Sequence, residues 1–88
     1  MAGAETNAEA LALQALVWTL GDESRARRLL DLTGLEPASL RQRAGEAVVL
    51  AATLSFLESY EPDLVACAEA LEISPEQLVA ARATLEDR

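Results

Sequence analysis

Apolar residues recur along this 88-residue chain in a helical rather than a strand rhythm. Leu13, Leu16, Val17 and Leu20 form an i, i+3, i+4, i+7 stripe, which marks one face of a helix. Thr6-Asn7-Ala8-Glu9 reads as the capping box that opens it, with residues 1–5 left as a disordered tail. Gly21 stops this helix and Asp22 is placed to cap the next. A second helix is expected over Glu23–Leu32, closed by Gly34 in the left-handed conformation that follows many helix ends. Pro37 suits the first position of a short third helix that Gly45 ends.

The fourth helix, about Glu46–Ser59, is apolar nearly all round, so it is expected at the centre of a bundle. Pro62 opens a fifth, with Leu64, Val65, Ala68 and Leu71 on one face. Ser74-Pro75-Glu76-Gln77 opens a sixth by N-cap, N1 proline and capping-box glutamine, with Leu78, Ala81 and Leu85 inward. No segment alternates with a period of two, so no sheet is predicted. The pattern specifies an all-α, compact bundle of five to six short helices forming one domain over residues 6–88. Its core is assigned to Leu13, Leu16, Leu20, Leu30, Leu35, Leu40, Leu50, Leu54, Leu57, Leu64, Leu71, Ile73 and Leu78.

The chain also matches itself when displaced by 38 positions: Leu16 meets Leu54, Trp18 meets Phe56, Leu35 meets Ile73, Pro37 meets Pro75 and Leu40 meets Leu78. Each half then reads helix, acidic turn, helix, [Leu/Ile]-x-Pro-x-x-Leu, helix. Two pseudo-repeated halves would produce this, and so would two independently capped helical hairpins.

Composition narrows the chemistry. The cations are seven arginines without a lysine, there is no histidine, and 15 Asp and Glu give a net charge of −8. Histidine bases, imidazole metal ligands and lysine Schiff bases are excluded. The single Cys67 excludes an internal disulfide and paired-cysteine metal sites, and is expected as a buried, inert thiol. Carboxylates around Pro62 lack the spacing of a calcium loop. No catalytic, metal or cofactor site is therefore assigned, and a non-enzyme is expected. The uncharged stretches, Ala10–Gly21 and Ala47–Leu57, fall short of the roughly 20 residues that span a bilayer. The first ten residues lack the basic start of a signal peptide, so a cytoplasmic location without membrane attachment is expected.

Charge is unevenly placed. Residues 25–43 carry Arg25, Arg27, Arg28, Arg41 and Arg43 against Asp31 and Glu36, a net +3, while the flanking segments are −4 and −7. These five arginines are the candidate partner-binding patch, since guanidinium groups bind carboxylate and phosphate in two-pronged fashion. The alternative is a solvated face whose arginines pair locally. Residues 69–82 have the spacing of a helix-turn-helix, which would make the chain a transcription-associated nucleic-acid binder. Its would-be recognition helix offers Glu76, Gln77 and Glu86 with Arg82 the sole cation, which argues against phosphate binding. Trp18 and Phe56 are expected to face each other in the core.

Three blocks together carry a resemblance: Trp18–Asp22 with Arg28–Arg41, Ala52–Glu58, and Ser74–Glu76 with Ala81, Arg82 and Leu85. In order and spacing the chain resembles a family of small, acidic, all-helical proteobacterial proteins known only as a domain of unknown function. The likeness covers about Glu9–Leu85 and is most specific in Leu-Thr-Gly-Leu-x-Pro-x-x-Leu-Arg at 32–41. Trp18 stands where the family commonly has Phe, and Glu72 where it has Gly. The resemblance implies the helical fold and supplies no activity. The expectation is thus a non-enzymatic protein-interaction or adaptor domain with an unidentified protein partner.

Overall fold

The computed structural model describes the backbone of residues 2–87 and the side chains of 6–87. Within these residues the chain forms six helices and no strand: α1 (Ala2–Leu20), α2 (Glu23–Thr33), α3 (Pro37–Arg43), α4 (Ala47–Glu58), α5 (Glu61–Leu71) and α6 (Pro75–Glu86). Local punctuation sets most of these ends. The Asp22 carboxylate accepts from the Arg25 amide at 2.9 Å and caps α2. Ser74 and Gln77 form the reciprocal capping box of α6, at 3.2 and 2.9 Å. One expected boundary moves. Helix α1 already runs from Ala2, so the helix begins before Thr6. Thr6 lies inside the helix instead of capping it. Alanines at 2, 4 and 8 favour continuing the helix past that cap signal.

The core is a single cluster assembled around α4, whose Val49, Leu50, Ala51, Thr53, Leu54, Phe56 and Leu57 are all buried. α4 touches α1, α2, α5 and α6, and α6 lies against both α1 and α4. α3 is peripheral and anchored by buried Leu40. The two buried threonines satisfy themselves: Thr19 and Thr53 donate to the carbonyls of Ala15 and Val49, at 2.8 and 3.0 Å.

The assigned core is correct at Leu16, Leu40, Leu50, Leu54, Leu57 and Leu78. Leu30, Leu35, Leu64, Leu71 and Ile73 are partly buried and packed against it. It fails at Leu13 and Leu20, which are 46% and 38% exposed. α1 instead turns Ala8, Ala12, Ala15, Leu16 and Thr19 inward. That face has the same helical spacing as the leucine stripe but a smaller profile, which lets neighbouring helices approach closely. Leu29, which the assignment omitted, is fully buried.

The displacement of 38 is also structural. α1 ends at Leu20 and α4 at Glu58; α2 spans Glu23–Thr33 and α5 Glu61–Leu71; α3 starts at Pro37 and α6 at Pro75. Ala12, Ala15, Leu16, Thr19, Leu29 and Leu40 are buried, and so are their counterparts Leu50, Thr53, Leu54, Leu57, Cys67 and Leu78. The halves part company at their last helices, because α3 stops at Arg43 whereas α6 continues to Glu86.

Gly34 and Glu72 are counterparts too, and both are left-handed helix ends, at φ 72° and 59°. The Gly34 amide donates to Leu30 at 2.8 Å, and the Ile73 amide reaches back to Ala68 at 2.9 Å. Glycine holds this conformation without strain, whereas a glutamate at 72 crowds its own Cβ. Glu72→Gly is therefore expected to raise the unfolding free energy by about 0.5–1 kcal/mol, and Gly34→Ala to lower it by about 1 kcal/mol. Urea titration followed by circular dichroism measures both; a Glu72→Gly variant no more stable than the parent would show that position 72 is unstrained.

Candidate functional site

The five candidate arginines lie on α2 and α3, and each is placed by local chemistry. Arg25 folds back over Trp18, its guanidinium 3.7 Å from the ring centre, and donates to the Trp18 carbonyl at 2.9 Å. It thereby adds a second donor to a carbonyl at the end of α1 that already accepts from the Gly21 amide, and stacks on the ring. Its Nε is buried with no hydrogen-bond partner. Arg28 reaches across to α5, pairing with Asp63 at 2.9 Å and lying 5.5 and 5.7 Å from the Phe56 and Tyr60 rings. Arg27 and Glu23 form an exposed pair at 3.7 Å, and Arg43 pairs with Glu46 at 3.0 Å. Arg41 is exposed and has no ion pair among the described residues.

Nor do the five share one recess. Arg27 and Arg28 border one with Asp22, Glu23, Ser24 and Asp31, while Arg43 borders another with Thr33, Leu35 and Val48. The first contains three carboxylates beside its two cations. An anionic ligand at either place would have to compete with pairs already formed, at a gain of well under 1 kcal/mol where the pair is exposed. Trp18 is half-buried beneath Arg25 while Phe56 is buried.

The α5–α6 pair presents Glu76, Gln77, Ala80, Ala83 and Glu86 outward from α6. Its cation, Arg82, bonds Glu58 of α4 and also pairs with Glu86 at 2.6 Å. The hydrogen bond and charge of Glu58, with Glu86 adding to them, hold Arg82 in its charged form above the ordinary arginine range. This outward surface is acidic.

The feature that sequence reasoning placed elsewhere is the outer face of α1. Leu13, Val17 and Leu20, two turns of large apolar side chains, stand 46%, 66% and 38% exposed. The α1 residues from Ala10 to Leu20 contain no charge. The signal was present, since the stripe was identified; what was misassigned is which of two apolar faces of α1 turns inward. A second apolar feature flanks α4: an open recess of about 510 Å³ lined by Ala47, Val48, Ala51, Ala52, Ser55, Leu85 and Glu86.

One family model spans residues 5–88 of the chain, and its description is a protein of unknown function, DUF3572. The chain belongs to this family. No curated protein and no solved structure matches it. Placed on the fold, the run at 32–41 through which the chain resembles the family is the joint between α2 and α3. Thr33 Oγ1 donates to the Leu29 carbonyl at 3.0 Å and accepts from the Leu35 amide at 3.3 Å. Gly34 supplies the left-handed turn, Pro37 opens α3 and Leu40 is buried. This run therefore builds structure, and its exposed members are Leu32, Gly34, Glu36, Pro37, Ala38 and Arg41.

Cys67 sits on α5 wholly out of solvent. Burial pushes its thiol up from 9.0 to about 11, with Arg25 opposing the rise and Asp63 adding to it. A thiol held protonated is a poor nucleophile. Between about pH 9 and 11 the unfolded chain has lost this proton and the folded chain keeps it, so folding stability falls as pH rises. The loss attributable to Cys67 is expected to reach roughly 2–3 kcal/mol by pH 11. Urea titrations at pH 8, 9.5 and 11 should show that decline in the parent and a shallower one in Cys67→Ala. Parallel pH profiles in the two would mean that the thiol titrates alike in both states.

Proposed function

We propose that this chain is a cytoplasmic, non-enzymatic protein-interaction domain that docks a partner on the outer face of α1. The observation that carries the reading is the inversion of side-chain size on that helix. Its alanines face the core while Leu13, Val17 and Leu20 face solvent. Large apolar side chains aligned over two turns of a rigid helix, with no charge among them, are what helix-docking interfaces use. The non-enzymatic part rests on the absence of histidine and lysine and on the protonated, buried state of Cys67. A lone reduced thiol fits a reducing compartment. The arginines contribute less than their number suggests, because four of the five candidates already have intramolecular partners. The acidic outer surface of α6 gives the nucleic-acid alternative no support.

The test is site-specific photocross-linking in living cells, with a photoreactive residue in place of exposed Gln14, beside the ridge. A discrete cross-linked product is expected, to this chain or another. It should disappear with Val17→Glu and persist with Arg41→Glu. Circular dichroism of each variant establishes that the fold is kept. A product unchanged by Val17→Glu but abolished by Arg41→Glu would move the site to the arginines, and absence of any product would overturn the reading.

A further inference from the structure

We infer that α3 is a hinged cover: the segment Glu36–Gly45 lifts from the bundle as a unit while the other helices stay folded, and bares the flank of α4. The contrast with its counterpart shows how lightly it is held. α6 has a capping box and three buried side chains, Leu78, Ala81 and Leu85, and Arg82 ties it to Glu58 of α4. At the corresponding positions α3 keeps only the first anchor, Leu40. Arg43 stands where α6 has Ala81, and it is exposed. The place of Leu85 falls to Ala47, which already belongs to α4. Pro37, Ala38, Arg41 and Gln42 are exposed as well, and Glu36 makes no side-chain bond to cap the helix.

The two ends of the segment differ in freedom. On the α2 side the chain is pinned, because the Gly34 amide donates to Leu30, the Leu35 amide donates to Thr33 Oγ1, and Leu35 packs against the core. On the α4 side Gly45 is exposed, and nothing lies within 4 Å of where a side chain would stand. Residues there can absorb the backbone rotation that opening needs. Two bonds cross this hinge, the Glu46 amide to the Arg43 carbonyl at 2.9 Å and the Arg43–Glu46 ion pair at 3.0 Å. Both partners are exposed, so the ion pair contributes little. Among the described residues no hydrogen bond or ion pair ties an α3 side chain to another helix. Arg43, one turn beyond Leu40, borders a recess with Leu35, Val48 and Val49. Val48 and Ala52 border both this recess and the larger one beside Leu85. Departure of α3 therefore opens one apolar trough along α4. It exposes a small part of the surface that global unfolding would, which is the condition for a separate local opening.

Hydrogen exchange of the full native chain at rising urea provides the first readout. The amides of residues 40–44 are expected to share one opening, with protection roughly 100-fold or more below that of Leu54, Leu57 and Ala81. Their exchange should change little with urea until global unfolding takes over, because the slope follows the surface exposed. Thiol labelling provides the second. Val49→Cys, its fold checked by circular dichroism, should be modified under native conditions in step with α3 exchange. Buried Cys67 in the same molecule should react only on global unfolding. Protection in α3 equal to that in α4, with the same urea dependence, overturns the inference. So does protection that declines gradually from the ends of α3, which signals fraying, or an α3 with none, which is not seated at all. Labelling of Val49→Cys no faster than that of Cys67 also overturns it, since the flank of α4 is then never bared.

Discussion

The close approach of α1 to its neighbours governs much else in this fold. Ala8, Ala12 and Ala15 recur on one side of α1, and helices seated on such a face can draw nearer than leucines would allow. Closer backbones increase dispersion contact per unit length, which compensates for the small apolar area that each alanine buries. α4 fills the other side of the arrangement with bulk. At the positions related by 38, Ala12 corresponds to Leu50, Ala15 to Thr53 and Thr19 to Leu57, all buried. The two halves thus fill one core with side chains of different size at corresponding positions. Once α1 is committed to this face, its rotation is set, and Leu13, Val17 and Leu20 have no place in the core.

The arginines are organised by the same packing. Arg25 and Arg28 lie one turn apart on α2 and are drawn to opposite halves of the molecule. Arg25 covers Trp18 and the end of α1, whereas Arg28 reaches Asp63 near the Phe56 and Tyr60 rings. All three aromatics of the chain therefore lie beneath these two guanidinium groups. Four of the five arginines in a stretch that reads as a block of positive charge are tied within the molecule, each with a carbonyl or a carboxylate in reach, and Arg41 is left without an ion pair among the described residues.

Much of the fold was legible because helix ends are written in local chemistry. Asp22, Gly34, Pro37, Ser74 and Gln77 act through bonds or dihedrals within four residues, and sequence spacing alone locates them. Cys67 was legible as a buried thiol from its apolar neighbours. The start of α1 was not, since a capping-box pattern marks a permitted helix start without forbidding the helix to begin earlier. The inward face of α1 was misread for a different reason. Both faces of α1 satisfy the helical period, so periodicity could not choose between them, and weighting by residue size chose the larger one. The deciding quantity, the interhelical distance that α4 and α6 require, is tertiary. Glu72 was legible as a departure from glycine, but its left-handed φ of 59° is set by the turn into α6.

The correspondence between the halves bears on why α1 carries its ridge. The counterparts of Leu13, Val17 and Leu20 are Ala51, Ser55 and Glu58; the first two line the recess beside Leu85 of α6, and Glu58 bonds Arg82 of the same helix. In the second half that ridge is mostly small and is walled by the long last helix. In the first half the last helix is short, α3 ends at Arg43, and the ridge is large and bare. A fold needing only to close its core would be served by the smaller ridge in both halves, since exposed leucine and valine leave apolar area in water. The enlargement falls where no helix among the described residues covers it. It is on this enlargement that the proposed docking face rests.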